Sequence, residues 1–253
     1  MRRRASSAAP AVHRDPPLPD DLPPAGRAIA QALVTRRSVR GFLPTPVPRS
    51  VVTSILSLAA RAPSGTNVQP WKVYVCTGAV RDALSAELVA AHFAATGEHT
   101  EEYAYYPRHW RDPYLARRRK LGWDLYGLLG IAKGDRAATA RQHARNYEFF
   151  GAPVGLFFAM DRDLELGSWL DNGMFIEAVM IAARAYGLHT CPQAAFTPFH
   201  RIVRRHVGIP DGEIMLCGMA LGHLDPEEIA NGLDTEREPV AGFTRFCGDA
   251  ADG

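Results

Sequence analysis

The sequence predicts an α+β fold, and three observations predict it. Trp71 to Thr77, Val154 to Met160 and Glu213 to Leu221 are β-rich or continuously apolar runs of strand length. The segments between them carry helical periodicity. The two types do not alternate in the regular β–α–β series of a parallel sheet. At 253 residues the chain is long enough for one large domain or two small ones.

Residues 1 to about 26 are rich in Pro, Ala, Arg and Ser and carry little apolar periodicity. They are expected to form a disordered arm ahead of one domain at 27–253. No continuous apolar stretch follows Arg2-Arg-Arg4, so a signal peptide is not expected. Ala28 to Val34 reads as a helix leading into Thr35–Phe42. Pro44, Pro46 and Pro48 then exclude helix and give an extended link. Val51, Val52, Ile55, Leu56, Leu58 and Ala59 form the broad apolar face of a second helix, which stops before Pro63 and Gly65. Trp71–Thr77 alternates poorly and is expected to be a buried strand. An alanine-rich helix follows from about Val80 to Ala95.

Residues 96–145 are dense in aromatic and charged side chains, with a helix expected over Leu115–Leu129. They read as a lid-like excursion from the core. The run Arg117-Arg-Arg-Lys120 reads as a solvated helix face, or as a means of attracting an anionic substrate. Val154–Met160, between Pro153 and Asp161, is expected to be a fully buried strand. Gly167 to Gly187 is a helix apolar nearly all round, from Trp169 and Leu170 to Met180 and Ile181. Such a helix must be buried on every side, either centrally or at a subunit interface. Gly187 closes it. His189–Phe196 is expected to be a polar-edged loop, Pro198–Val207 a short basic helix, and the chain after Gly222 irregular.

Composition excludes several functions. A hydrophobic fraction of 47% with 22% charged residues is ordinary for a globular protein. A net charge of +2 gives no reason to expect nucleic acid or a membrane surface as partner. No apolar run is long enough to span a bilayer. Cys76, Cys191, Cys217 and Cys247 are scattered without a C-x-x-C pair, as expected for reduced thiols in the cytoplasm. No metal site is expected: His200 and His206 are six apart, and H-E-x-x-H is absent.

Three stretches carry candidate chemistry. Arg36-Arg-Ser-Val-Arg40 places three guanidiniums and a hydroxyl within five residues. It suits a phosphate cradle or a basic helix terminus facing its own macrodipole. Ala62-Pro-Ser-Gly-Thr-Asn-Val-Gln-Pro-Trp71 offers a flexible glycine and an amide that donates and accepts, fit for a planar heterocycle edge or for a plain turn. Trp71 reads as core. Cys191-Pro-Gln-Ala-Ala195 exposes backbone N–H groups to a ligand or is an ordinary loop. Cys191 has no base at a recognisable spacing. G-x-G-x-x-G, G-x-x-x-x-G-K-[ST] and G-x-S-x-G are all missing, so an enzyme of this sequence needs a cofactor to carry its chemistry.

Taken in order, Arg36–Arg40, Ala62–Trp71, the helix Trp169–Gly187, Pro192-Gln-Ala-Ala195 and Arg237 resemble the FMN-dependent nitroreductase family, from about Ala28 to Phe246. The segment from Tyr105 to Pro153 looks most like the nitrobenzoate-reductase branch. The resemblance implies a central, mainly antiparallel sheet flanked by helices, in an intertwined homodimer with two FMN sites at the interface. It implies that Arg36, Arg37, Ser38, Arg40 and Arg237 hold the phosphate and ribityl chain. Pro63, Ser64, Gly65 and Asn67 then reach the flavin, in part from the other subunit. Pro192, Gln193, Ala194 and Ala195 pass along the ring, with the Ala194 N–H near flavin N5; some relatives carry an acidic side chain at that position. The activity implied is ping-pong: NADPH or NADH passes a hydride to the flavin, and a nitroaromatic or quinone then takes two electrons. Dehalogenase-like and flavin-cleaving relatives share part of these motifs, and a non-catalytic flavin-binding protein is the remaining alternative.

Overall fold

The structure, a computed structural model, describes residue 13 and residues 15–248. The part of the expected arm at 1–12 and 14 lies outside the described residues. Residues 15–23 run without regular structure to a 3-10 turn at Pro24–Gly26, and the His13 ring contacts the Asp234 carboxylate.

Four strands, β1 (Lys72–Thr77), β2 (Val154–Asp161), β3 (His189–Gln193) and β4 (Glu213–Gly222), form one sheet in the order β1-β2-β4-β3. All three pairings are antiparallel. Eight helices accompany it among the described residues: α1 (Arg27–Thr35), α2 (Arg49–Ala59), α3 (Gly78–Ala94), α4 (Tyr114–Leu128), α5 (Arg136–Ala144), α6 (Leu166–Ala185), α7 (His200–Val207) and α8 (Val240–Phe243). The fold is α+β, as expected.

β2 is buried from Val154 to Met160 because it has a strand on each side and helices on each face. Its side chains alternate between two cores. Leu156, Phe158 and Met160 meet Val52 and Ile55 of α2 and Phe175 and Val179 of α6. Phe157 and Ala159 meet Leu84 and Leu88 of α3, Val203 of α7 and an aromatic nest of Tyr147, Phe149, Phe196 and Phe199. Each fully buried side chain of this size contributes roughly 1.5–3 kcal/mol. Two glycines open the second core to those rings. A Cβ on Gly155 would lie 2.5 Å from the Phe149 ring, and one on Gly218 would lie 2.5 Å from Phe196.

Several expectations are corrected. His189–Gln193 is a strand, not a loop: it pairs with β4 through Cys191↔Ala220 and Gln193↔Gly218. Pro192 masked it, but an edge strand tolerates proline. β1 is a strand at the other edge and is not buried; Val75 is 45% exposed. Lys72 and Tyr74 pin that edge, by Lys72 Nζ to Glu213 Oε1 at 3.0 Å and by the Tyr74 hydroxyl donating to Glu213 Oε2 at 2.7 Å. Burial, then the bond to Glu213, pushes the Tyr74 phenol up to about 12. Within one chain α6 is covered on one face only, and Leu166 and Leu170 stand 81% and 68% exposed. The excursion holds a second helix, α5, capped by Asp135, whose Oδ1 accepts from the Ala138 N–H at 2.9 Å. Trp71 does belong to the core edge, stacked on Phe175 with centroids 4.7 Å apart.

Candidate functional site

α1 ends at Thr35, and the chain leaves it extended, with Arg36 at φ −67°, ψ 123°. It then runs beside β3. Ser38 bridges Thr190 in parallel, and the Val39 N–H donates to Thr190 O at 3.1 Å. With Val39 fully buried, the alternating residues Arg36, Ser38 and Arg40 have one side of the segment in common.

This segment forms one wall of a cleft of ≈ 350 Å³. The tail residues Leu233–Arg237 form the second wall. One face of α4 (Arg117, Lys120, Leu121 and Asp124) forms the third. The cleft therefore brings Arg237 to Arg36, Arg37, Ser38 and Arg40, from which it is nearly 200 residues away in sequence. Six cationic side chains face three carboxylates, those of Asp124, Asp234 and Glu236. The excess of planar guanidinium donors beside a hydroxyl fits a phosphate dianion.

Asn231, which no sequence motif signalled, organises the arginine wall. It is buried, and its Oδ1 accepts from the Arg40 N–H at 2.8 Å while its Nδ2 donates to Gly41 O and Asp225 O, both at 2.9 Å. Its carbonyl accepts from Arg37 Nη1 at 2.9 Å. Burial lowers the pKa of Arg37; Asp15 and Asp234 oppose that shift and Arg184 adds to it. Arg36 is tied to α6, with Nε 3.6 Å from Glu177 Oε1. Arg117 and Lys120 were expected on a solvated face. They are exposed, yet they also reach the tail, Arg117 pairing with Glu238 and Lys120 lying 3.3 Å from Glu236 Oε1.

Behind the cleft, Arg184 Nη1 donates to His189 Nε2 at 2.8 Å and to Leu188 O at 2.9 Å. An imidazole accepting at Nε2 is neutral and carries its proton on Nδ1. Burial first, then Arg184 and Arg37, drives the His189 pKa down to about 3.

Pro192 and Gln193 lie on β3, the strand beside Ser38, and Ala194 and Ala195 open the 3-10 segment Ala194–Phe199. None of the four lines the arginine cleft. Gln193 is buried; its Nε2 donates to Asn146 O at 2.7 Å, and among the described residues its Oε1 has no partner.

Pro63, Ser64, Gly65 and Asn67 also lie off this cleft within one chain. They turn through a 3-10 segment at Gly65–Asn67 and rest against α6, where the Gly65 N–H meets the Asp171 carboxylate at 3.2 Å. The Gly65 N–H is thus engaged inside the chain, while the Ser64 hydroxyl and the Asn67 amide on either side remain able to donate.

Residues 33–223 match the family model described as "Nitroreductase family". A 4-nitrobenzoate reductase of Pseudomonas putida is 41% identical over 216 residues, covering 85% of this chain and 94% of its own length. A 4-nitrobenzoate reductase of Nocardioides sp. (strain LMS-CY) is 40% identical over 90% of this chain and 94% of its own length. Among solved structures, the FMN and NADPH-dependent nitroreductase NfnB of sphigopyxis sp. strain HMH superposes with a TM-score of 0.84 at 37% identity, covering 87% of this chain and 99% of that one. The chain belongs to the nitroreductase family.

Proposed function

We propose that this chain is an FMN-dependent oxidoreductase that uses NADPH or NADH to reduce nitroaromatic compounds or quinones. The observation that carries this reading is the convergence of Arg36, Arg37, Ser38, Arg40 and Arg237 on one cleft in a chain of the nitroreductase family. The donor set fits the phosphate of FMN. When bound, the flavin supplies the chemistry, accepting a hydride and delivering two electrons.

The chain's own residues bind and orient. Arg36, Arg37, Arg40 and Arg237 neutralise the phosphate, and Ser38 adds a hydroxyl donor. Pro192, Gln193, Ala194 and Ala195 flank the ring, with the Ala194 backbone N–H as the donor toward it. Pro63, Ser64, Gly65 and Asn67 complete the site, in part from the partner subunit; in one chain they stand apart from the arginine cleft.

A homodimer follows from that division. Its support is an apolar groove of ≈ 790 Å³ along α1 and α6, lined by Ala28, Ile29, Ala32, Leu58, Ala178 and Ile181. Ile29 is 66% exposed and Leu58 52%, an apolar surface of the kind that marks an interface. Among the described residues no helix is long and apolar enough to cross a membrane. Cys76, Cys191, Cys217 and Cys247 are free, which supports a cytoplasmic location.

The test is a titration of purified protein reconstituted with FMN. The yellow protein is expected to bleach with NADPH or NADH and to recolour with 4-nitrobenzoate or a quinone. Yellow protein that ignores both nicotinamides would refute the catalytic reading. Protein that cannot be reconstituted would refute the cofactor.

A further inference from the structure

We propose that Asp171 is a positioning residue for the loop Pro63–Trp71, and through it for the bound flavin; this rests on the FMN reading above. The loop holds an unusual backbone. Thr66, Asn67 and Gln69 have φ of 48°, 60° and 51°, all in the left-handed region. Residues other than glycine persist there only where their surroundings dictate it.

The loop's own bonds are short in range. The Gln69 N–H donates to Ser64 Oγ at 3.0 Å, the Asn67 N–H to Ser64 O at 3.0 Å, and the Val68 N–H to Gly65 O at 3.1 Å. These bonds shape the turn but do not attach it to the protein. Attachment comes from α6, where Trp71 stacks on Phe175 at the loop's end and, at its turn, both oxygens of Asp171 accept the Gly65 N–H at 3.2 Å.

Asp171 is an odd residue for its place. It is 6% exposed on a mainly apolar helix, beside buried Asn172 and one turn before buried Phe175. Among the described residues, the Gly65 N–H is its one hydrogen-bond donor. Burying a carboxylate on so little compensation is costly, and apolar packing would fill the space at lower cost. What the carboxylate supplies, and a leucine would not, is a charge-assisted bond to one backbone N–H. That bond fixes Gly65, and with it the direction of the Ser64 hydroxyl and the Asn67 amide on either side. Asp171 itself does not touch the cofactor; it acts through the loop.

The experiment compares FMN binding by fluorescence titration in full-length wild type, Asp171→Ala and Asp171→Asn, together with visible-region circular dichroism at saturating FMN. Asp171→Ala is expected to raise the Kd for FMN roughly 10-fold and to change the visible dichroism of the bound flavin. Asp171→Asn keeps an acceptor and loses the charge, so its shift is expected in the same direction and smaller. A merely structural Asp171 would lower Tm and leave both FMN readouts at wild-type values, which would overturn the proposal. If Asp171→Ala does not fold, Asp171→Asn decides: unchanged Kd and dichroism overturn it, and a shift in both upholds it. Wild type that fails to bind FMN removes the cofactor reading and this inference together. Wild type that binds while both variants match it removes this inference alone.

Discussion

Arg40 is held at two points within the chain. Its N–H donates to Asn231 Oδ1 at 2.8 Å, and its Nη1 donates to Ser38 O at 3.2 Å. The first bond fixes the backbone and the second orients the guanidinium, which then loses less freedom when an anion arrives. Arg40→Ala is expected to weaken FMN binding roughly 10-fold, the scale of one charge-assisted bond. Fluorescence titration measures it, and an unchanged Kd would count against the phosphate role. His189 sets a pH dependence. Its folded pKa of about 3 lies below the ordinary 6.5, so the unfolded chain takes up the proton first. Its contribution to stability is complete above pH 6.5 and is lost progressively as pH falls toward 3. Urea midpoints at pH 7 and pH 5 are therefore expected to differ more in wild type than in His189→Gln; equal differences would show that His189 contributes nothing.

Among the elements, β2 has little tolerance for added volume. A methyl group at Gly155 would meet the Phe149 ring at 2.5 Å and Cys76 Sγ at 2.8 Å, both in the aromatic core. Gly155→Ala is expected to cost about 1–3 kcal/mol by overpacking, read from the shift in chemical denaturation. α5 is governed by its cap instead. Asp135→Ala leaves the Ala138 N–H without its partner and is expected to cost about 1 kcal/mol. Hydrogen exchange would locate that loss in residues 136–144 rather than in the sheet. β1 and β3 show what local pattern hides. β1 looks like a buried strand because it is β-rich, and Pro192 makes β3 look like a loop. Their places at the two edges come from pairing with β2 and β4, partners that are distant in sequence.

For the whole molecule, the uncovered face of α6 and the exposed residues of α1 are the features one chain leaves unsatisfied. Ile29→Glu changes a side chain that is 66% exposed in the single chain, so it is expected to leave the protomer folded. In the proposed dimer it buries a charge without a partner. Sedimentation is expected to show a monomer, and FMN retention is expected to fall with it. A dimer that survives the substitution would move the interface elsewhere.

By itself the sequence determined the α+β class, the central strand Val154–Met160, the long apolar helix and the arginine run Arg36–Arg40 as a candidate phosphate cradle. Each rests on composition or periodicity within a short window, or on motif order along the chain. Arg237, nearly 200 residues beyond Arg40, was named by family resemblance, and the fold brings it to the same cleft as Arg36–Arg40. Only the tertiary structure decided the rest. It placed β3 beside Ser38, turned Arg117 and Lys120 of α4 onto the cleft, and set Asn231 behind Arg37 and Arg40. It also engaged the Gly65 N–H with Asp171, 106 positions away. These are pairings between polar groups distant along the chain, and the hydrogen bonds that join them leave no local periodicity to read.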